Sequence, residues 1–234
     1  FINKEKLMKK LFIVICAITC SSINLQLNGN TQQESTIILD NQNNINALVN
    51  AASLGDLSTV TTLVEQGVNV NCSDKNGYTP LTEAASRNHF DIVQYLVKNG
   101  ADINIQDTQG NTALILAAYR NHFDTIKYLL DNGANVNIQN NHGTSPLLAI
   151  ISFKTGYLPI IKYLVEHGAD IDAQDINKNT PIMFAAAIGQ EDIVDYLIEK
   201  RADAIPRDIN GDTALDLAIS MDHATITRRL MDLS

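Results

Sequence analysis

One eight-residue pattern recurs five times along the chain at nearly constant spacing, and a period of that length restricts the fold to a stack of like units. The first copy is Asp74-Lys75-Asn76-Gly77-Tyr78-Thr79-Pro80-Leu81. Copies follow at 107–114, 140–147, 175–182 and 208–215, at offsets of 33, 33, 35 and 33 residues. A second pattern keeps the same period: Gln66-Gly67-Val68, Asn99-Gly100-Ala101, Asn132-Gly133-Ala134, His167-Gly168-Ala169 and Lys200-Arg201-Ala202. With a degenerate first copy, clear from Leu48 to Ala52, six units are expected near 41–73, 74–106, 107–139, 140–174, 175–207 and 208–234.

Each unit reads as two short helices. Thr79, Thr112, Ser145, Thr180 and Thr213 carry the hydroxyl suited to an N-cap. Pro80, Pro146 and Pro181 follow at the first helical position, where a missing N–H costs nothing. Ala84-Ala85, Ala117-Ala118 and Ala185-Ala186 keep one face thin, so neighbouring helices can approach. Asn88, Asn121 and Gly189, which tolerate positive φ, are expected to stop the first helix. Ile92, Val93, Leu96 and Val97 put the second helix's apolar residues on one face, and Gly100, Gly133 and Gly168 end it. A protruding hairpin then turns at Gly110 or Gly143. One such unit cannot bury both apolar faces; stacked units can.

These motifs resemble the ankyrin repeat family, which is built on a 33-residue period and a Thr-Pro-Leu motif. The resemblance covers residues 41–234. It implies an all-α repeat fold, a solenoid of helix-turn-helix units with protruding β-hairpin loops, working as a non-catalytic protein-binding module. It further implies that the hairpin tips and inner helices contact the partner. By register those positions include Lys75, Asn76, Tyr78, Arg87, Gln109, Asn111, Tyr119, Arg120, His142 and Phe153. Tyr and Arg are the residue types that dominate binding hot spots, and Phe is enriched at interfaces.

Departures from the pattern carry expectations of their own. Lys154-Thr155 is a two-residue insertion in the fourth unit, which also has Ile150-Ile151 in place of Ala-Ala, so its helix spacing should differ locally. Arg201 replaces a helix-ending Gly and Lys178 a turn Gly; positive φ at either would store about 1–3 kcal/mol of strain. Asn46-Ala47 stands where other units have Thr-Pro. Thr227, Arg228, Arg229 and Asp232 suggest a polar outer helix capping the last unit, so the array is expected to be complete.

Residues 1–22 read as an export signal. Met8 is the expected start, Lys9 and Lys10 form a positive head, Leu11 to Thr19 is apolar, and Cys20, Ser21 and Ser22 follow. The apolar run is too short to span a bilayer. Cys20 raises the alternative of a lipid anchor, although Ala17 and Thr19 fit a lipidation box poorly. Residues 23–40 read as a polar linker. The expected location is outside the cytoplasm of a bacterium: periplasm, envelope or secreted, with membrane anchoring as the alternative.

The chain has a formal net charge of −9. An acidic balance excludes a phosphate-backbone binder. Three Cys make neither a disulfide framework nor a Cys-rich zinc site. His89 and His122 sit one repeat apart, which marks them as structural; His142 and His167 read as solvated, and His223 stands alone. Asp74, Asp107, Asp175 and Asp208 begin loops, where a side chain that accepts backbone hydrogen bonds is useful. Cys72 reads as a small buried residue. No enzyme, metal site or cofactor is expected, and the chain is expected to be a monomer that binds another protein.

Overall fold

The computed structural model describes the backbone of residues 31–152 and 157–233 and the side chains of 42–152 and 157–233. The export segment and Cys20 therefore lie outside the described residues, as do Phe153, Lys154 and Thr155. Asp40–Ser234 forms one compact unit. The described helices pair in chain order. Unit one holds α1 (Thr31–Leu54) and α2 (Leu57–Glu65), unit two α3 (Pro80–Ser86) and α4 (Phe90–Lys98), and unit three α5 (Ala113–Tyr119) and α6 (Phe123–Asp131). Unit four holds α7 (Pro146–Ile151) and α8 (Leu158–Glu166), unit five α9 (Pro181–Ile188) and α10 (Glu191–Glu199), and unit six α11 (Ala214–Ser220) and α12 (Ala224–Met231). Helix α1 begins ten residues before the first expected unit, so part of the stretch read as a linker is helical.

The caps form as their residue types dictate. Thr79 Oγ1 accepts from the Thr82 N–H at 3.1 Å, and Thr112, Ser145 and Thr213 do the same three residues on, at 3.3, 3.3 and 3.2 Å. Each such cap stabilises its helix by about 1 kcal/mol. Unit five departs: Thr180 Oγ1 is buried without a partner, and the Thr180 N–H donates to Met183 Sδ instead. Asn88, Asn121 and Gly189 end the inner helices with φ of 61°, 58° and 85°.

The alanine pairs let the inner helices stack. Ala84, Ala85, Ala117, Ala118, Ala185 and Ala186 are fully buried, and α3, α5, α7, α9 and α11 pack side by side in that order. The outer helices pack in the same order as a second layer, α8 meeting α6 through Tyr163, which bonds to Asp131 and faces the Phe123 ring. In unit four Ile150 and Ile151, which stand in place of the alanine pair, are both fully buried. One continuous apolar core runs from Leu48 to Leu230.

Each protruding hairpin is a turn closed on an acid or amide hub. Asp107 Oδ1 accepts from the N–H of Gln109 and of Asn111, both at 2.8 Å, and Asp74, Asn140, Asp175 and Asp208 repeat the arrangement. Asp208 is held below the usual carboxylate range, chiefly by the Asp212 N–H. No strand is formed among the described residues; the hairpins join one another by single bonds. The N–H groups of Thr108, Asn141, Ile176 and Ile209 donate to the carbonyls of Asn76, Gln109, His142 and Asn177 at 2.9–3.1 Å. Two further rows tie unit to unit. Asn71, Asn104, Asn137 and Asp172 each accept from a backbone N–H one repeat on. His89, His122 and His223 bond through Nε2 to the carbonyls of Ser53, Ser86 and Ala187. His223 therefore does not stand alone; it caps its helix at the same register as the other two, with Gln190 in that place in unit five.

Lys178 and Arg201 adopt φ of 63° and 64°, so unit five carries both of the strained positions; Asp222, at 59°, takes the helix-stop register of Asn88 and Asn121, where a short polar side chain tolerates positive φ. At the register of Arg201 the glycines 100, 133 and 168 have nothing within 4 Å of a built Cβ. The cost at Arg201 is therefore conformational alone. Arg201→Gly is expected to raise the unfolding free energy by about 0.5–1 kcal/mol, the left-handed penalty less the entropy of the added glycine, read from urea titration.

Of the polar residues expected to cap unit six, Arg228 and Asp232 are exposed, while Arg229 turns back onto Asp195 and Glu191 of unit five. Ile219, Met231 and Leu233 of unit six are exposed as well, as is Ile205 of unit five.

Candidate protein-binding face

Inner-helix residues four, seven and eight places after the cap share one side of each helix. In unit two these are Glu83, Ser86 and Arg87; in unit three, Leu116, Tyr119 and Arg120; in unit five, Phe184, Ala187 and Ile188; in unit six, Leu217, Ser220 and Met221. Stacking sets them in rows beneath the hairpin tips.

At the start of the stack these rows line a recess. It has a volume of about 270 Å³ and is walled by Asn46, Val49, Asn50, Ser53, Asp74, Glu83 and Arg87. Glu83 Oε2 accepts from Ser53 Oγ at 2.6 Å and from Arg87 Nε at 3.1 Å, which joins units one and two across the groove. Arg87 is exposed but already ion-paired within its helix.

The expected contact residues divide into two groups. Lys75, Asn76, Gln109, Arg120 and His142 are exposed on the tips and inner helices as the register required. Tyr78 and Tyr119 are half-buried and pack against the core, so each spends much of its surface on the fold. Asn111 is a correction: it is buried, its Nδ2 donates to Asp107 Oδ2, and its Oδ1 accepts from Asn140 Nδ2 at 2.8 Å. It belongs to the hairpin hub and offers a partner nothing. Phe153 lies outside the described residues.

The same register places Ile176 on a tip, where it is exposed, and Ile188 on an inner helix, where it is half-buried. Other face residues went unread in the sequence: Ile209 stands exposed on the adjacent tip and Met221 is exposed, with Phe184 and Leu217 half-buried below. The face thus changes from polar and cationic at units two and three to apolar at units five and six. Extending the tip register one unit further and adding the fourth-place row would have found all of them.

The convex side is a separate construction. Tyr95, Tyr128, Tyr163 and Tyr196 recur with the repeat, and Phe90 and Phe123 meet Tyr128 and Tyr163 edge-on at 5.7 and 6.3 Å between ring centroids. Tyr163 Oη donates to Asp131 at 2.6 Å, and that bond pushes the phenol up to about 12. These rings knit the outer layer together.

Two groups that could perform chemistry, Cys72 and His122, serve the core and a unit-to-unit bond. Burial pushes the Cys72 thiol up to about 11, far from a reactive thiolate. Burial also lowers the pKa of His122 and outweighs its bond to the Ser86 carbonyl. Among the described residues no group of three His, Cys, Asp or Glu is placed to hold a metal ion, and no helix is long and apolar enough to cross a membrane.

Comparison with known proteins agrees with this geometry. A family model described as "Ankyrin repeats (3 copies)" matches residues 11–107, 100–175 and 154–234. No curated protein matches the chain.

Proposed function

The chain belongs to the ankyrin repeat family, and we propose that it is a non-catalytic module that holds a partner protein on its concave face. The supporting observation is a contrast. His89, His122 and His223, the hub aspartates and Cys72 are committed to unit-to-unit bonds, hairpin turns and the core, whereas the inner face presents Lys75, Arg120, Ile176, Ile209 and Met221 outward. Arg120 has no ion pair among the described residues, so its guanidinium is available for a desolvated contact of the kind that anchors interfaces.

The test captures partners on the full chain and then compares two variants. Arg120→Ala removes an exposed side chain, so it leaves the fold intact and is expected to weaken binding by about tenfold or more. Lys98→Ala, at the end of α4 on the convex side, is expected to change it little. Equal affinity of Arg120→Ala and the unsubstituted chain sinks the concave reading.

The order of residues 8–22 supports export across a bacterial membrane, ahead of the array. The lipid-anchored alternative rests on Cys20. Intact mass of the protein recovered from cells separates a cleaved, lipidated or retained head.

A further inference from the structure

The inner face carries a charge unlike that of the rest of the array. The chain has 26 acidic residues against 17 Lys and Arg. Yet in units two to five, hub residues aside, the tips and inner-helix rows hold one carboxylate among the described residues. It is Glu83, and it is spent on Ser53 and Arg87. The acids lie elsewhere: Asp91, Asp124, Asp131, Glu166, Asp192 and Glu199 are exposed on the outer helices. The hub aspartates beneath the tips are used by the hairpins themselves. Both oxygens of Asp74, Asp107 and Asp175 accept from N–H groups of their own hairpin, so neither is left to meet a partner. Lys75, Arg120 and Lys178 are exposed on the face and have no ion pair among the described residues.

The same face turns apolar within unit five. Ile176 is 62% exposed on its tip, although its hairpin is bonded on both sides, to the His142 carbonyl and to the Ile209 N–H. That exposure owes nothing to a missing neighbour. Phe184 and Ile188 lie half-buried below it. Ile188 stands at the register of Arg120, two units on. Packed helices lie about 8–10 Å apart, so the cationic and apolar places are about 16–20 Å apart along the face. That span is about six residues of extended chain or about twelve of helix.

We propose that the partner docks through a segment of its chain with carboxylates at one end and aliphatic or aromatic side chains at the other. Its carboxylates meet Arg120 and Lys75; its apolar side chains cover Ile176, Phe184 and Ile188. The planar fork of Arg120 suits a carboxylate gripped by two parallel bonds. Nucleic acid has no apolar end to offer unit five, and a basic segment is drawn to the acids of the outer helices instead. Those same acids repel an acidic segment, so charge also decides which side of the stack it meets. The inference rests on the reading that the inner face holds the partner. It adds the partner's chemistry and its direction along the stack.

The experiment selects a random library of displayed peptides of about 16 residues, long enough for either spacing, on the full chain. Recovered peptides are expected to be enriched in Asp and Glu toward one end and in Leu, Ile or Phe toward the other. The strongest is then synthesised and titrated. Lys75→Glu with Arg120→Glu is expected to weaken it about a hundredfold, roughly tenfold for each reversed charge. Exchanging the peptide's acids for Lys should restore binding to that variant. Ile176→Asn, the residue that unit four carries at this place as Asn141, is expected to weaken the peptide about tenfold through its apolar end. Far-UV circular dichroism of both variants should match that of the unsubstituted chain. A readout independent of the variants is the peptide with its acids exchanged for Asn and Gln, which should bind the unsubstituted chain about tenfold more weakly. Peptides without an acidic excess that still lose affinity with Arg120→Ala would overturn this inference and leave the docking face standing. Acidic peptides indifferent to both Arg120 and Ile176 would overturn both readings. A library that yields no binder, or a lysine-exchanged peptide that recovers nothing, would overturn the segment proposed here.

Discussion

Gly143→Ala is expected to lower the unfolding free energy by about 3 kcal/mol, against about 1 kcal/mol for Gly211→Ala at the same register two units on. Both glycines have positive φ, 73° and 89°, so both substitutions incur the left-handed penalty. The difference is what the new methyl meets. At Gly143 it falls 2.8 Å from the Asp175 Cα and the Ile176 N, backbone atoms of the next hairpin; at Gly211 nothing lies within 4 Å. The unit-five hairpin cannot retreat freely, because its Asn177 carbonyl is bonded to the Ile209 N–H on the other side. In thermal unfolding the difference of about 2 kcal/mol corresponds to roughly 4–8 °C. Equal melting temperatures for the two variants would show that hairpin contact between units contributes nothing.

Asp107→Ala should cost about 3 kcal/mol, while Asp107→Asn, which keeps the acceptor of the two backbone N–H groups and loses only the bond from Asn111 Nδ2, should cost about 1 kcal/mol. The carboxylate is buried and accepts from two backbone N–H groups and from Asn111 Nδ2. Alanine leaves those donors without a partner in a turn that water reaches poorly, at about 1–3 kcal/mol for each buried group so stranded. It also loosens Asn111, whose Oδ1 takes the Asn140 Nδ2 of the next unit. Asparagine keeps an oxygen at the same place, as Asn140 does in unit four, where it accepts from His142 and Thr144. Denaturant titration of the two variants separates the readings. A large loss in Asp107→Asn would mean that the charge, not the acceptor geometry, holds the hairpin.

The repeat logic extended to most of the architecture. Cap hydroxyls, first-turn prolines, alanine pairs and loop aspartates each act within their own unit or on the next, so a register read along the chain carries their partners with it. It also located the strained Lys178 and Arg201, because a residue replacing a turn glycine must take up that glycine's φ. The face was less legible. Asn111 looked like an exposed tip residue, but its amide is drawn into a hub by Asn140, 29 residues away in sequence and adjacent only once the hairpins stack. Tyr78 and Tyr119 were read as surface aromatics; the stack half-buries both.

The sequence alone determined the number of units, their paired helices, their order and the absence of any motif for chemistry, because those properties follow from interactions a few residues long repeated at a fixed period. Only the tertiary structure decided which side chains remain free: that Asn111 is spent, that Glu83 holds both Arg87 and Ser53, that the inner face turns apolar at Ile176, Ile209 and Met221, and that Arg229 folds back onto Asp195. Exposure is a property of neighbours, and in a stack those neighbours come from other units.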